Sequence, residues 1–204
     1  MQVAADPPAW EVEPRSTECC SRCGDPEVIV PHATAMPGIH DRDEAALWFA
    51  LHRLETNYWY DVDFNAGIKA HEFYVNDGLF AVGDNQFRGH DKIRAFYAWR
   101  RQRGHTTTRH LINNLQVASQ DEKQAHITGV ISLYRADGRP PFQGERPPML
   151  VADLSCDCVL AEDNIWRYRS HVLHPIFVGS DIPLSISIDT QILAEGEGGA
   201  RKQA

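Results

Sequence analysis

The chain has 204 residues, with 20 Lys and Arg against 28 Asp and Glu, a formal net charge of −8 and 43% hydrophobic residues, a balance that suits one ordinary globular domain with a sizeable core. The acidic balance argues against nucleic acid as a partner, because phosphate binding needs a concentrated basic surface and only WRRQR, residues 99–103, approaches one. No apolar run reaches the roughly 18 residues of a membrane span, and MQVAADPPAWEVEP lacks the apolar segment of a secretory signal, so a cytoplasmic, reducing setting and no membrane partner are expected.

Residues 1–37 bear prolines and little periodicity and are expected to be a flexible segment. Residues 38–180 hold the periodic stretches and form the expected domain, and residues 181–204, closing on AEGEGGARKQA, are expected to be an extension disordered at its end. In DRDEAALWFALHRLETNYWYDVD, Ala46, Phe49, Leu51, Leu54 and Tyr58 recur at helical spacing, which predicts a long amphipathic helix whose last turn carries Tyr58 and Asp63. IKAHEFYVNDG reads as a short helix closing on Asn76-Asp77-Gly78, LFAVG and NQFRG as a hairpin, and HDKIRAFYAWRRQRG as a helix with Ile93, Phe96 and Tyr97 inward.

Strands follow. RHLINNLQVAS turns at QDEK into QAHITGVISLYRA, DGRPPFQGERPP is a loop, and MLVADLSCDCVLAED and NIWRYRSHVLHPIFVG complete an antiparallel meander. Helices on one face of such a sheet make an α+β fold. The five cysteines are Cys19, Cys20, Cys23, Cys156 and Cys158, an odd number for a disulfide framework. CCSRC has one C-x-x-C and no second to pair with it, and the alternate cysteines of LSCDCVL read as small core residues, so no metal is expected.

TTTRHLINNLQV, residues 106–117, raises the functional question, because Arg109-His110 and Asn113-Asn114 precede the apolar run of a half-buried strand. Strand alternation lets only one of the two asparagines face inward, and Asn113 is the candidate for contact with a ligand. In WRYRSHVLH the same alternation puts Trp166, Tyr168, Ser170 and Val172 on the more apolar face, with Arg167, Arg169 and His171 opposite. Tyr168 and Ser170 are then the cavity-side candidates, and His171 joins them only through a β-bulge.

RLETNYWYDVDFNAG, EFYVNDGLFAVG, FRGHDKIRAFY, TRHLINN and WRYR, in that order, resemble the SnoaL-like branch of the nuclear-transport-factor-2-like superfamily. The resemblance covers most of residues 39–178 and neither tail. It implies a cone, in which a curved antiparallel sheet wraps a long N-terminal helix and leaves an apolar pocket, with Trp59, Phe64, Phe80, Phe96 and Trp166 available as walls. The chain is similar to members of the scytalone dehydratase, bile-acid dehydratase and lindane dehydrochlorinase type, and this similarity implies that His110 faces Asp63. Tyr58, five residues before Asp63, matches a functional tyrosine of the bile-acid type. Where related enzymes place an arginine on the last strand, this chain offers Ser170 or His171.

An imidazole with an ordinary pKa near ~6.5 takes and returns a proton at neutral pH. A carboxylate on its other nitrogen fixes the tautomer and stabilises the cation, and a tyrosine hydroxyl can stabilise an enolate oxygen. The resemblance thus implies a cofactor-independent dehydratase or isomerase, a lyase-type enzyme acting on a hydrophobic cyclic, polyketide- or steroid-like substrate. His110, Asp63, Tyr58 and His171 are its catalytic candidates, and Asn113, Trp59, Tyr168 and Ser170 its substrate-binding ones. The alternative is a non-catalytic binding or assembly module of the same fold, such as a dioxygenase β-subunit-like protein. A homodimer or higher homo-oligomer is also implied by the resemblance alone.

Overall fold

The computed structural model describes residues 42–179. The expectations for both terminal segments and for Cys19, Cys20 and Cys23 lie outside the described residues. Helix α1 spans Arg42–Phe64, and a short 3-10 turn at Ala70–Phe73 leads into strand β1, Tyr74–Val82, and strand β2, Asn85–Arg88. Helix α2, His90–Gln102, precedes four long strands: β3, Thr106–Gln120; β4, Gln124–Asp137; β5, Leu150–Leu160; and β6, Trp166–Val178. The six strands make one curved, unclosed sheet in the order β2-β1-β6-β5-β4-β3.

The α+β architecture agrees with the sequence, with two local differences. YVNDG is the start of β1 rather than the end of a helix, since Tyr74 pairs with Tyr168 and a register shift separates it from Leu79. The sheet is also mixed, because β1 runs parallel to β6 while every other pair is antiparallel. Strands distant in sequence are free of the hairpin constraint that forces antiparallel pairing.

Helix α1 buries Leu51, Leu54, Tyr58, Trp59 and Val62 against inward residues of the sheet, among them Ile127, Ile131, Leu154, Tyr168 and Leu173. Full burial of one such aliphatic side chain is worth roughly 1.5–3 kcal/mol relative to exposure. Phe49 is 59% exposed, because two residues of helix rotate it about 200° from Leu51. Cys156 and Cys158 are free and buried, in keeping with a strand that turns small apolar groups inward at every second residue.

After α1, a left-handed turn at Ala66 and Gly67 returns the chain beneath α2. Gly67 has φ +68°, and a Cβ there would lie 2.3 Å from Cδ1 of Tyr97, so the turn accepts no side chain without displacing that ring. The Asp61 carboxylate accepts from the Lys69 backbone N–H at 3.0 Å and so fastens the turn, a structural task that separates Asp61 from Asp63. No helix of the described residues is long and apolar enough to cross a membrane.

Candidate active site

Asp63 lies in the last turn of α1, and Thr108 and His110 share one face of β3, so helix end and strand meet at three polar groups. The His110 ring Nδ1 stands 2.6 Å from Asp63 Oδ1, the His110 backbone N–H donates to Asp63 Oδ2 at 2.7 Å, and the Thr108 hydroxyl donates to Oδ1 at 2.7 Å. The two side chains are 6% and 5% exposed. Trp59, one turn back on α1, covers the imidazole face with ring centroids 4.0 Å apart and planes 20° from parallel.

Burial pushes the Asp63 carboxyl up, but the His110 ring and backbone and the Thr108 hydroxyl outweigh it and hold the group below its ordinary value. Burial pushes the His110 imidazole down, the Asp63 carboxylate opposes this, and the Arg100 charge adds to the lowering, leaving the ring below its ordinary value. At neutral pH the pair is therefore a neutral imidazole donating Nδ1–H to a carboxylate. The opposite nitrogen, Nε2, keeps its lone pair for a molecule in the adjoining space.

That space is a cavity of about 390 Å³, inside the ~300–1,000 Å³ range of small-molecule sites. His110 and Tyr97 line it beside Trp59, Val62, Phe80, Phe96, Ile131 and Leu133, and its exposed lining, Arg101, Arg103, Gly104 and His105, marks the mouth. The Tyr97 hydroxyl is 2.6 Å from that of Tyr58, and burial pushes the Tyr97 phenol up to about 12. Both phenols stay protonated at neutral pH, the Tyr58 hydroxyl being raised still further by burial and by its tyrosine neighbours.

Behind the cavity lies a sealed polar network. Glu55 is 0% exposed, and its carboxylate accepts from Trp59 Nε1 at 2.6 Å and from the Tyr168 hydroxyl at 2.5 Å. The His171 Nε2 is 3.5 Å from Glu55 Oε1 without a hydrogen bond, while Nδ1 meets the Tyr74 hydroxyl at 3.0 Å. Burial raises the Glu55 carboxyl, yet the His171 ring beside it and the hydrogen bonds from Tyr168 and Trp59 bring it below its ordinary value. Glu55, Cys156 and His171 bring three potential metal ligands within 4.8 Å of one another. As they stand, the carboxylate accepts from Trp59 and Tyr168, and burial keeps the Cys156 thiol protonated.

Residues 43–171 match the family model of the SnoaL-like domain, well over half of the chain. The chain belongs to the SnoaL-like domain family. No curated protein matches it. Among solved structures, a protein assigned as a scytalone dehydratase from Novosphingobium aromaticivorans is similar at 18% identity and TM-score 0.55, over 65% of this chain and 86% of that one. The β subunit assigned to an aromatic-ring-hydroxylating dioxygenase from the same organism gives 14% identity and TM-score 0.57, over 66% and 92%. A protein of unknown function with a cystatin-like fold from Nostoc punctiforme gives 10% and 0.53, over 67% and 93%. At these identities the likeness is one of fold.

This SnoaL-like domain places the eight candidate residues in three groups. His110 and Trp59 line the cavity, and Asp63 stands directly behind His110. Tyr58, Tyr168 and His171 are fully buried in the network behind the wall and line no part of the cavity, so Tyr97, read from the sequence only as an inward residue of its helix, is the phenol that lines it. Ser170 and Asn113 lie outside. A β-bulge at Arg169, opposite Asp157 and Cys158, turns both Tyr168 and His171 inward and sends Ser170 to the outer face, where its hydroxyl donates to Asp157 at 2.7 Å. A second bulge between Asn113 and Gln116, with Asn114 at φ +51°, exposes both asparagines and brings Leu115 inward.

Of the expected walls, Phe64 is 56% exposed beneath the Arg109 guanidinium and Trp166 borders a separate depression outside α1. Glu55 went unrecognised, although its position was a signal. It shares the helical stripe of Leu51, Tyr58 and Val62, where a carboxylate must find partners. On the outer face Ser155, His126 and Asp157 align as hydroxyl, imidazole and carboxylate. They line neither cavity, and the Asp157 backbone N–H, at the bulge, is taken by the Ser170 hydroxyl at 3.3 Å.

Proposed function

We propose that this SnoaL-like domain is a cofactor-independent dehydratase or isomerase that removes a proton α to a carbonyl on a hydrophobic cyclic substrate. The observation that carries the reading is the 2.6 Å contact between His110 Nδ1 and Asp63 Oδ1 at the wall of an apolar cavity. His110 Nε2 takes the α-proton, and the electron pair of the broken C–H bond moves toward the carbonyl to give an enolate. Asp63 stabilises the imidazolium formed, and Tyr97, backed by the Tyr58 hydroxyl, donates to the enolate oxygen. Collapse of the enolate either expels a β-hydroxyl, which leaves as water with the proton held by His110, or returns that proton to a different carbon.

Deep burial of the pair and its lowered His110 pKa support a base that is unprotonated at neutral pH. Turnover of cyclic β-hydroxyketones, followed by loss of water, is the test. His110→Ala and Asp63→Asn are each expected to reduce kcat by about 10²–10⁴-fold, the usual range for a general base. Unchanged turnover in both variants would exclude the mechanism. An assembly module resembling the dioxygenase β subunit is the second reading, and the dyad at the cavity wall weighs against it because subunit contact alone calls for no sealed titratable pair.

A further inference from the structure

The cavity's charge is opposite to that of the chain. The protein carries a formal −8, yet among the described residues the lining contains Arg100, Arg101, Arg103, Arg135 and His105 and no Asp or Glu. The arginines come largely from WRRQR, the one basic run noted in the sequence, at the C-terminal end of α2. A helix C-terminus favours cations, which accounts for basic residues at that end but not for a guanidinium over the inner aromatic wall.

Arg100 is that guanidinium. Its carbon lies 5.5 Å from the Tyr97 ring centre and 5.8 Å from that of Phe96, both rings lining the cavity. Arg103 stacks on Trp99 at 4.9 Å, Arg101 donates to the Ala66 carbonyl at 3.1 Å, and Arg135 is paired with Asp137 at 2.8 Å. Among the described residues no carboxylate lies within ion-pair distance of Arg100 or Arg103. The Arg100 charge reaches the reacting end, where it lowers the proton affinity of both His110 and Tyr97. A planar guanidinium at a half-enclosed aromatic wall is suited to an oxyanion group, whose charge it meets with paired N–H donors.

We propose that the ligand of this cavity is an amphiphile, with an apolar ring body against Trp59, Phe80 and Phe96 and an anionic group, a carboxylate or a phosphate ester, held at the mouth by Arg100 with Arg103. The proposal rests on the reading of the cavity as the substrate site, and it gives that substrate a charged end. The anion also offsets the Arg100 charge beside His110, so the bound acid strengthens the base as it docks.

Binding of 2-naphthoate, 2-naphthyl phosphate and the neutral 2-naphthamide, measured by calorimetry on the full chain, tests this apart from catalysis. At least one anion is expected to bind about tenfold or more tighter than the amide, the size of a charge-assisted hydrogen bond, and the tighter of the two identifies the group. Arg100→Gln should remove that advantage and leave the amide unchanged, and added salt should weaken only the anion. His110→Ala should retain the preference, so a failed mechanism and a failed anion site give different results. Equal affinity for acid and amide, a preference that survives Arg100→Gln, or no binding of any of the three would overturn the proposal.

Discussion

At the scale of residues, the site depends on two groups whose proton affinities are set by the same contact. Asp63 is held low enough to remain a carboxylate, and His110 is held low enough to remain a base, although each favours the charged form of the other. Burial decides the sign for the imidazole. A consequence for stability follows by linkage. In the unfolded chain the His110 ring titrates near ~6.5, above its folded value, so between the two the unfolded state binds more protons. Stability is expected to fall as pH drops below about 6.5 and to go on falling to the folded pKa. Asp63, titrating lower in the fold than its unfolded ~3.9, adds a loss only at still lower pH. Thermal melts between pH 8 and pH 5 should show a declining midpoint, with a shallower decline in His110→Asn. An equal decline in both would mean that the ring is not held neutral by burial. Periodicity put Asp63 in the last turn of the first helix and His110 near the start of a strand, but that the two meet was implied by the family resemblance alone.

At the scale of elements, single extra residues decide which side chains enter the interior. Regular alternation along WRYRSHVLH would put Tyr168 and Ser170 inside, whereas the bulge at Arg169 admits Tyr168 and His171 together. Their reward is the buried polar network, in which the Tyr168 hydroxyl donates to Glu55 and the His171 Nδ1 meets the Tyr74 hydroxyl. Sequence periodicity is blind to this, because a bulge carries no necessary residue signature, and Asn113 was misplaced for the same reason. Deletion of Arg169, whose own guanidinium reaches only an exposed Gln124, would restore regular pairing with Tyr168 and His171 two residues apart and both still inward. Insertion of one alanine between Ser170 and His171 would instead reverse the alternation beyond the bulge and turn His171 outward, at an expected cost of about 3 kcal/mol or more, comparable with breaking a buried polar network, read from the urea midpoint. A cost of that size for the deletion, or an unchanged midpoint for the insertion, would contradict the role given to the bulge.

At the scale of the whole molecule, the α+β class was readable from the order of periods, since amphipathic helices precede long alternating strands and leave few other ways to bury both faces. The parallel joining of β1 to β6 was not, because strands separated by most of the domain share no turn that reports their direction. What the assembled fold adds is a separation of tasks. One end of α1 brings Asp63 to β3, its middle buries Glu55 beneath β6, and α2 brings arginines to the cavity mouth. The central claim is that His110 is a base acting on a carbon acid in that cavity. Proton NMR of 2-tetralone in deuterium oxide measures this most directly, through exchange of its α-protons. The protein is expected to accelerate exchange above the buffer rate, with a rate that holds through neutral pH, falls only on the acid side of the ordinary imidazole value as His110 is protonated, and is removed by His110→Ala. Exchange at the buffer rate, or acceleration that persists in His110→Ala, would contradict it.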